Sequence, residues 1–134
     1  MHNGTIRPGN TAEQFINEKY KGFIQGTTDS ERFFYAVLSA IDELGLVEGV
    51  RSTVNSIRAI ADYTALNIMV QTPETLIAVC EFNEANKSEW SAEDHYELVL
   101  PNAVQTWLWH LRVGVMVIGT ISITTRCLSL IVRP

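Results

Sequence analysis

The chain has 134 residues, of which 46% are hydrophobic and 19% are charged. This composition is sufficient for a hydrophobic core and excludes a disordered, collagen-like or low-complexity protein. The net charge is −5, and the sequence holds no cluster of Lys and Arg. Because contacts to phosphates need such clusters, we expect no direct binding to nucleic acid. The length predicts a single domain over residues 1–134.

The N-terminus lacks the basic and apolar regions of a signal peptide, which predicts a cytoplasmic protein. The longest apolar stretch without charge covers residues 113–125, which is shorter than the roughly 20 residues of a membrane span. We therefore expect no membrane anchor. Cys80 and Cys127 cannot form a disulfide framework. We interpret them as reduced, buried thiols, with a single disulfide between neighbouring strands as the alternative.

The first half of the chain predicts a flexible arm followed by a helical part. Residues 1–10 contain two glycines and a proline and are expected to form the arm. Over residues 11–63, apolar residues recur at steps of three and four, as on one face of an amphipathic helix. The first predicted helix begins at Thr11 and ends before Gly26. Its apolar face comprises Ala12, Phe15, Ile16, Tyr20, Phe23 and Ile24.

Two further helices follow in the helical part. The second is predicted from the capping-box pattern of Thr28 and Glu31 to the glycine at position 45. Its apolar face comprises Phe34, Val37, Leu38, Ile41 and Leu44. The third is predicted to begin near Glu48, and its apolar face comprises Val50, Val54, Ile57 and Ala61.

A different periodicity predicts a β-rich part over residues 64–134. Alternating residues around 66–71 and 76–82 flank a Thr-Pro turn, and this pattern predicts a hairpin. Further strands are predicted at residues 107–118, 121–123 and 128–132. Residues 91–112 also fit a helical period in places, so helix and strand both stay open there, with strand favoured from residue 102.

These elements predict an α+β fold, in which about three N-terminal helices pack on a mostly antiparallel, curved sheet formed by the C-terminal half. Helices followed by curved antiparallel strands are similar to the NTF2-like cone fold in topology alone, and this resemblance assigns no residue a role. The last strands are rich in Val and Ile on both faces. Either both faces are covered, or one face meets a second copy of the chain, which predicts a homodimer through the C-terminal strands.

Residues 81–97 contain six acids and one base, so their charge equals the net charge of the whole chain, −5. A solvated loop would account for this concentration, but so would an acidic surface that steers a basic protein partner. A tryptophan among exposed acids is typical of an interface anchor. We therefore predict a partner-binding surface formed by Glu84, Glu89, Trp90, Glu93, Asp94 and Glu97. Immunity proteins and phage-type inhibitors are comparable in size and charge, so the leading function is a non-catalytic, inhibitor-type protein-binding module.

The alternative function is a small-molecule binding protein or a small enzyme. Its aromatic-lined pocket would lie between the helices and the sheet and would involve Tyr96, Trp107, Trp109, His110 and Arg112. Residues 93, 95 and 97 would share one face of a strand, but no Cys/His framework accompanies them, so we expect no metal site. The sequence holds no familiar nucleophile or nucleotide-binding motif. We accordingly predict neither catalytic residues nor a cofactor.

Overall fold

The computed structural model describes residues 1–73, 75–86, 114–118, 121–124 and 127–130, the last three ranges as backbone strands. Within this part the chain forms three α-helices and antiparallel β-sheets, which is a mixed α and β fold. The chain groups into two compact units. The N-terminal unit comprises residues 2–66, and the C-terminal unit comprises Met1 with residues 67–134. A single domain over the whole chain stays a prediction.

The N-terminal unit is built mainly from two long helices that pack against each other and are joined by one residue, Gly45. Short strands and a 3₁₀ helix complete it. Its elements in chain order are β1 (His2–Asn3), β2 (Ile6–Arg7), the 3₁₀ helix Thr11–Phe15, α1 (Glu18–Lys21), α2 (Asp29–Leu44), α3 (Leu46–Ile60) and β3 (Asp62–Tyr63).

The two long helices confirm the second and third predicted helices. The Thr28 hydroxyl accepts a hydrogen bond from the Glu31 backbone N–H at 3.3 Å, which satisfies one of the free donors at the start of α2. The Glu31 carboxylate, however, does not return to Thr28 as in a capping box. It accepts the backbone N–H groups of Gln25 and Gly26 at 2.9 and 2.7 Å and so fixes the preceding loop. Gly45 ends α2 with a φ of 81°, a conformation that favours glycine.

The prediction of one continuous helix before Gly26 is wrong. The chain forms a 3₁₀ helix over Thr11–Phe15, becomes extended at Ile16 and Asn17, and resumes as the single-turn helix α1. A tertiary hydrogen bond explains the break, because the Asn17 backbone N–H donates to the Ser39 hydroxyl of α2 at 2.9 Å. The extended backbone also buries Ile16 in the core. In a continuous α-helix the Asn17 N–H would donate to a carbonyl within the helix, so the bond to Ser39 requires the break.

The structure also differs from the loose arm predicted for residues 1–10. Ile6 is almost completely buried, and β2 pairs antiparallel with β3, placing Ile6 opposite Tyr63. The Ile6 backbone N–H donates to the Asp29 carboxylate at 2.7 Å. One apolar side chain among polar neighbours was insufficient to indicate this docking. Burial of that side chain, with its backbone donor satisfied, holds the segment in place.

The core of the N-terminal unit forms where α2, α3 and the flanking segments meet. Its buried apolar side chains are Ile6, Ala12, Ile16, Phe33, Ala36, Val37, Val50, Val54, Ile57, Tyr63, Ala65 and Leu66. The face of α2 that packs inward therefore carries Phe33, Ala36 and Val37, whereas Phe34 and Leu44 of the predicted apolar face are exposed.

The C-terminal unit contains the predicted hairpin. Strand β4 (Asn67–Gln71) pairs antiparallel with β5 (Leu76–Cys80) in a register that places Ile68 opposite Val79, and this confirms the hairpin. Strand β5 pairs on its other edge with β6 (Gly114–Ile118), again antiparallel. Strands β7 (Ile121–Thr124) and β8 (Cys127–Leu130) form a separate antiparallel pair.

Strand β5 is covered on both faces. Its consecutive residues Ile77, Ala78 and Val79 are all buried, although successive side chains of a strand point to opposite faces. Cys80, at the end of the strand, is half-buried. The curvature of the sheet, the placement of helices against it and pairing through the last strands stay predictions.

Candidate functional site

The structure places only part of the predicted acidic surface. Glu84 is exposed at the start of a short 3₁₀ helix, Glu84–Asn86. Glu81, the first acid of the segment, is only 3% exposed and does not contribute to an exposed acidic face. Its backbone N–H donates to the Asn67 side-chain oxygen at 2.9 Å, which holds the chain against β4 where β5 ends. The other predicted partner-binding residues lie outside the described residues: Glu89, Trp90, Glu93, Asp94 and Glu97.

The alternative pocket lies wholly outside the described residues. This applies to all five of its predicted lining residues, Tyr96, Trp107, Trp109, His110 and Arg112. The choice between helix and strand for residues 91–112 likewise stays open.

The N-terminal unit presents a cluster of aromatic side chains that we call the aromatic surface: Tyr20, Phe23, Phe34 and Tyr35. Phe23 is 60% exposed and Phe34 is 50% exposed, although both were expected on buried helix faces. The Phe34 and Tyr35 rings meet edge to face, with centroids 5.1 Å apart. The Tyr35 hydroxyl donates to the Phe23 carbonyl at 3.2 Å, which ties the loop after α1 to α2. Tyr35 thus contacts the Phe34 ring and the Phe23 backbone, next to two exposed phenylalanine side chains.

Polar contacts fix the edge of the aromatic surface. The Tyr20 ring stacks on Tyr35 at 6.0 Å between centroids, and its hydroxyl donates to Asp42 at 2.9 Å. The Lys19 ammonium donates to the same carboxylate at 2.7 Å and lies 4.7 Å from the centre of the Tyr20 ring. The hydrogen bond from Lys19 lowers the pKa of Asp42, and the same bond raises the pKa of Lys19. Both groups therefore stay charged around neutral pH, and Tyr20 is held from two sides.

The sequence contains a signal for this exposure. Phe33 and Phe34 are adjacent, so a helix directs them about 100° apart and cannot bury both on a narrow face. A face through Phe33, Ala36 and Ala40 contains small residues that allow a neighbouring helix to approach closely. The face through Phe34 is longer and more apolar, so periodicity alone favours it as the buried face.

A cavity of about 270 Å³ lies within the N-terminal unit, between the 3₁₀ helix Thr11–Phe15, the extended link after it, and helices α2 and α3. Hydroxyl-bearing residues form much of its wall: Ser39, Ser52, Thr53 and Ser56. The cavity is open to solvent, and the exposed carboxylate of Glu43 lines it and accepts a hydrogen bond from the Asn17 side chain at 3.1 Å. The apolar part of the wall includes the half-buried Phe15 and the exposed Leu44.

The half-buried His2 forms a further polar cluster in the N-terminal unit. His2 Nε2 lies 3.4 Å from the Ala65 carbonyl, which can only accept, so Nε2 carries the proton. His2 Nδ1 then accepts from the Ser30 hydroxyl at 2.8 Å, and the ring packs edge to face on Phe33. Burial lowers the pKa of His2, and this effect exceeds the opposing influences of the Ala65 carbonyl and Asp29. The arrangement stabilises the neutral imidazole.

This pKa shift predicts a loss of stability on mild acidification. Because the folded state disfavours protonation of His2, its contribution to stability is complete above the unfolded pKa of about 6.5 and falls as the pH decreases below it. Urea midpoints measured at pH 7.5 and 5.5 should therefore differ more for the wild-type protein than for His2→Gln. An equal pH dependence in the two proteins would contradict this assignment.

In residues 1–73 and 75–86, no three His, Cys, Asp or Glu side chains are arranged to hold a metal ion. None of the described helices combines the length and apolar character needed to cross a membrane.

Comparisons of the chain with protein-family models, with curated proteins and with solved structures find no match.

Proposed function

We propose that this chain is a small, acidic, cytoplasmic protein-binding module of the inhibitor type, which docks a basic protein partner. The observation that carries the proposal is the aromatic surface, where Phe23 and Phe34 are half-exposed or more. Exposed aromatic side chains gathered in one place are typical of interaction sites, and aromatic residues are enriched among those that dominate binding energy.

Burial of these two rings against a partner would contribute substantially to the binding free energy. An aromatic side chain buries about 150–250 Å², so two half-exposed phenylalanines leave roughly 200 Å² to cover. At about 25 cal/mol per Å² this amounts to about 5 kcal/mol before the costs of association. The contact of Tyr35 with the Phe34 ring, and its hydrogen bond to the Phe23 backbone carbonyl, reduce the entropy that the Phe34 side chain and the Phe23 backbone lose on binding.

The charge of the chain supports a basic partner. Residues 81–97 concentrate the negative charge, and within them Glu84 is exposed. Acidic segments of this kind raise association rates with basic proteins, an effect that salt weakens. Aromatic rings also attract cations through their faces, most often those of arginine. A surface rich in arginine would therefore suit both recognition elements.

The test uses the full chain to recover a partner, which is then purified and titrated with matched variants. Glu89→Gln/Glu93→Gln/Asp94→Asn should slow association and flatten its salt dependence, because it removes steering charge. The control, Glu18→Gln/Glu48→Gln/Asp62→Asn, removes the same charge at exposed acids elsewhere and should behave like the wild-type protein.

The aromatic surface is tested in the same titration. Phe23→Ala/Phe34→Ala should speed dissociation and weaken affinity by about tenfold or more, because two anchoring rings are lost. Ile60→Ala, which truncates an apolar side chain of similar exposure (53%) at the end of α3, is the control. An acidic partner, equal effects of the two charge variants, or full affinity in the aromatic variant would each overturn the proposal.

A further inference from the structure

The cavity of the N-terminal unit has a chemistry that the proposed protein-binding role does not use. Its hydroxyls fall into two groups. Ser39 is committed internally, since its Oγ accepts from the Asn17 backbone and donates to the Tyr35 carbonyl at 2.8 Å. Thr53 is committed as well, because its hydroxyl donates to the Gly49 carbonyl at 2.9 Å.

Ser52 and Ser56 form the second group. They lie four residues apart on α3, which places them one above the other on the same face of the helix. Both line the cavity and are half-buried, yet neither hydroxyl makes a hydrogen bond to the described part of the chain. Two hydroxyls in register thus face the cavity with their hydrogen-bonding capacity unused by the protein.

The charge of the cavity wall favours a positively charged ligand. Glu43 supplies a carboxylate, whereas none of the lining residues is Lys, Arg or His. The Asn17 amide donates to only one of the two Glu43 oxygens, Oε1, which orients the carboxylate. An anionic ligand would be repelled here, while an ammonium group would gain a charge-assisted hydrogen bond from the carboxylate and further bonds from hydroxyl oxygens.

The apolar part of the cavity wall indicates the chemistry of the rest of the ligand. Phe15, Leu44 and Ala40 line the cavity and offer contact to a short aliphatic body. From these observations we infer that the cavity binds a small aliphatic amine that carries a hydroxyl group. The ammonium pairs with Glu43, the aliphatic chain lies against the apolar wall, and the hydroxyl meets Ser52 and Ser56.

Three probes of equal chain length test this inference on the full chain: 4-amino-1-butanol, the neutral 1,4-butanediol and the anionic 4-hydroxybutyrate. Binding is followed by NMR through the shifts of backbone amides that line the cavity. The amine should give saturable shifts in the millimolar range. The diol should bind about tenfold more weakly or worse, because it lacks the charge-assisted bond, and the anion should not bind.

Variants locate the site. Glu43→Gln should weaken amine binding by about tenfold, and Ser52→Ala/Ser56→Ala by a smaller factor, while leaving the helices intact. Asp42→Asn is the matched control, because Asp42 is the adjacent carboxylate and is bound by Lys19 and Tyr20 outside the cavity wall. Equal affinity for amine and diol, or equal losses in the Glu43 and Asp42 variants, would overturn the inference. The protein-binding titrations above are independent of either result.

Discussion

Gly49→Ala is expected to destabilise the N-terminal unit by about 3 kcal/mol or more, the upper range for overpacking a tight core. A Cβ atom at Gly49 would lie 2.5 Å from the Ile41 backbone nitrogen, 2.6 Å from the Ile41 Cα and 2.7 Å from the Ala40 carbonyl carbon. All three are backbone atoms of α2, so no side chain can rotate away. The two helices would have to separate, and the packing between them would be lost.

Gly22→Ala is the control for this prediction. Gly22 has a φ of −69°, and a Cβ atom there would have no neighbour within 4 Å. We expect this variant to match the wild-type protein or to gain up to about 1 kcal/mol from the less flexible unfolded chain. Urea unfolding of the two variants decides the matter. A Gly49→Ala protein as stable as Gly22→Ala would show that α2 and α3 do not approach as closely as the structure indicates.

The same substitution connects stability with the proposed amine site. Ser52 and Ser56 follow Gly49 on α3, and Ala40 and Glu43 lie on α2, so a shift between these helices changes the distances across the cavity. Gly49→Ala should therefore also lose the NMR shifts caused by 4-amino-1-butanol under conditions where most of the protein remains folded.

Phe33→Ala should cost about 3–5 kcal/mol, the range for truncating a buried aromatic side chain. Phe33 is 0% exposed and is the largest fully buried side chain of the described core. Its loss would leave a cavity beside the half-buried His2 ring, whose centroid lies 5.0 Å from that of Phe33. The energy is lost both from burial and from the contacts of atoms that then line an empty space.

Phe34→Ala provides the comparison, because it makes the identical change at the next residue of the same helix. Because half of the Phe34 surface is already exposed, Phe34→Ala should reduce the free energy of unfolding by well under half as much as Phe33→Ala. Thermal and urea unfolding should therefore separate the two variants clearly, whereas partner binding should be reduced by Phe34→Ala in a folded protein. Similar losses of stability in the two variants would reverse the assignment of the inward face of α2.

Several features could be predicted from sequence because their causes are local. The caps of α2, the periodicity of α3 and the alternation that defines β4 and β5 depend on residues within a few positions of each other. Composition and charge likewise need no structure, and they carry the prediction of an acidic segment at residues 81–97. The candidate cavity was not predicted, because its wall combines residues from three distant stretches of the N-terminal unit.

Tertiary interactions decided the rest. The helical pattern is interrupted at Asn17 because the Asn17 backbone N–H donates to the Ser39 hydroxyl, 22 residues away in the sequence. Residues 1–10 are anchored because the Ile6 side chain is buried in the core and the Ile6 backbone N–H donates to the Asp29 carboxylate. Glu81 is buried and its backbone N–H is bound by the Asn67 side chain, although its charge suggested an exposed acid.

The two phenylalanines of α2 show most clearly what the sequence determined and what the tertiary structure determined. The sequence by itself determined that residues 29–44 form a helix, since capping and periodicity act within one turn or two. It did not determine which phenylalanine turns inward, because both faces are apolar enough to pack. Helix α3 approaches α2 closely at Gly49, opposite Ala40 and Ile41, and this packing determines which face of α2 is buried. It buried Phe33 and left Phe34 on the aromatic surface, where the proposed partner would bind.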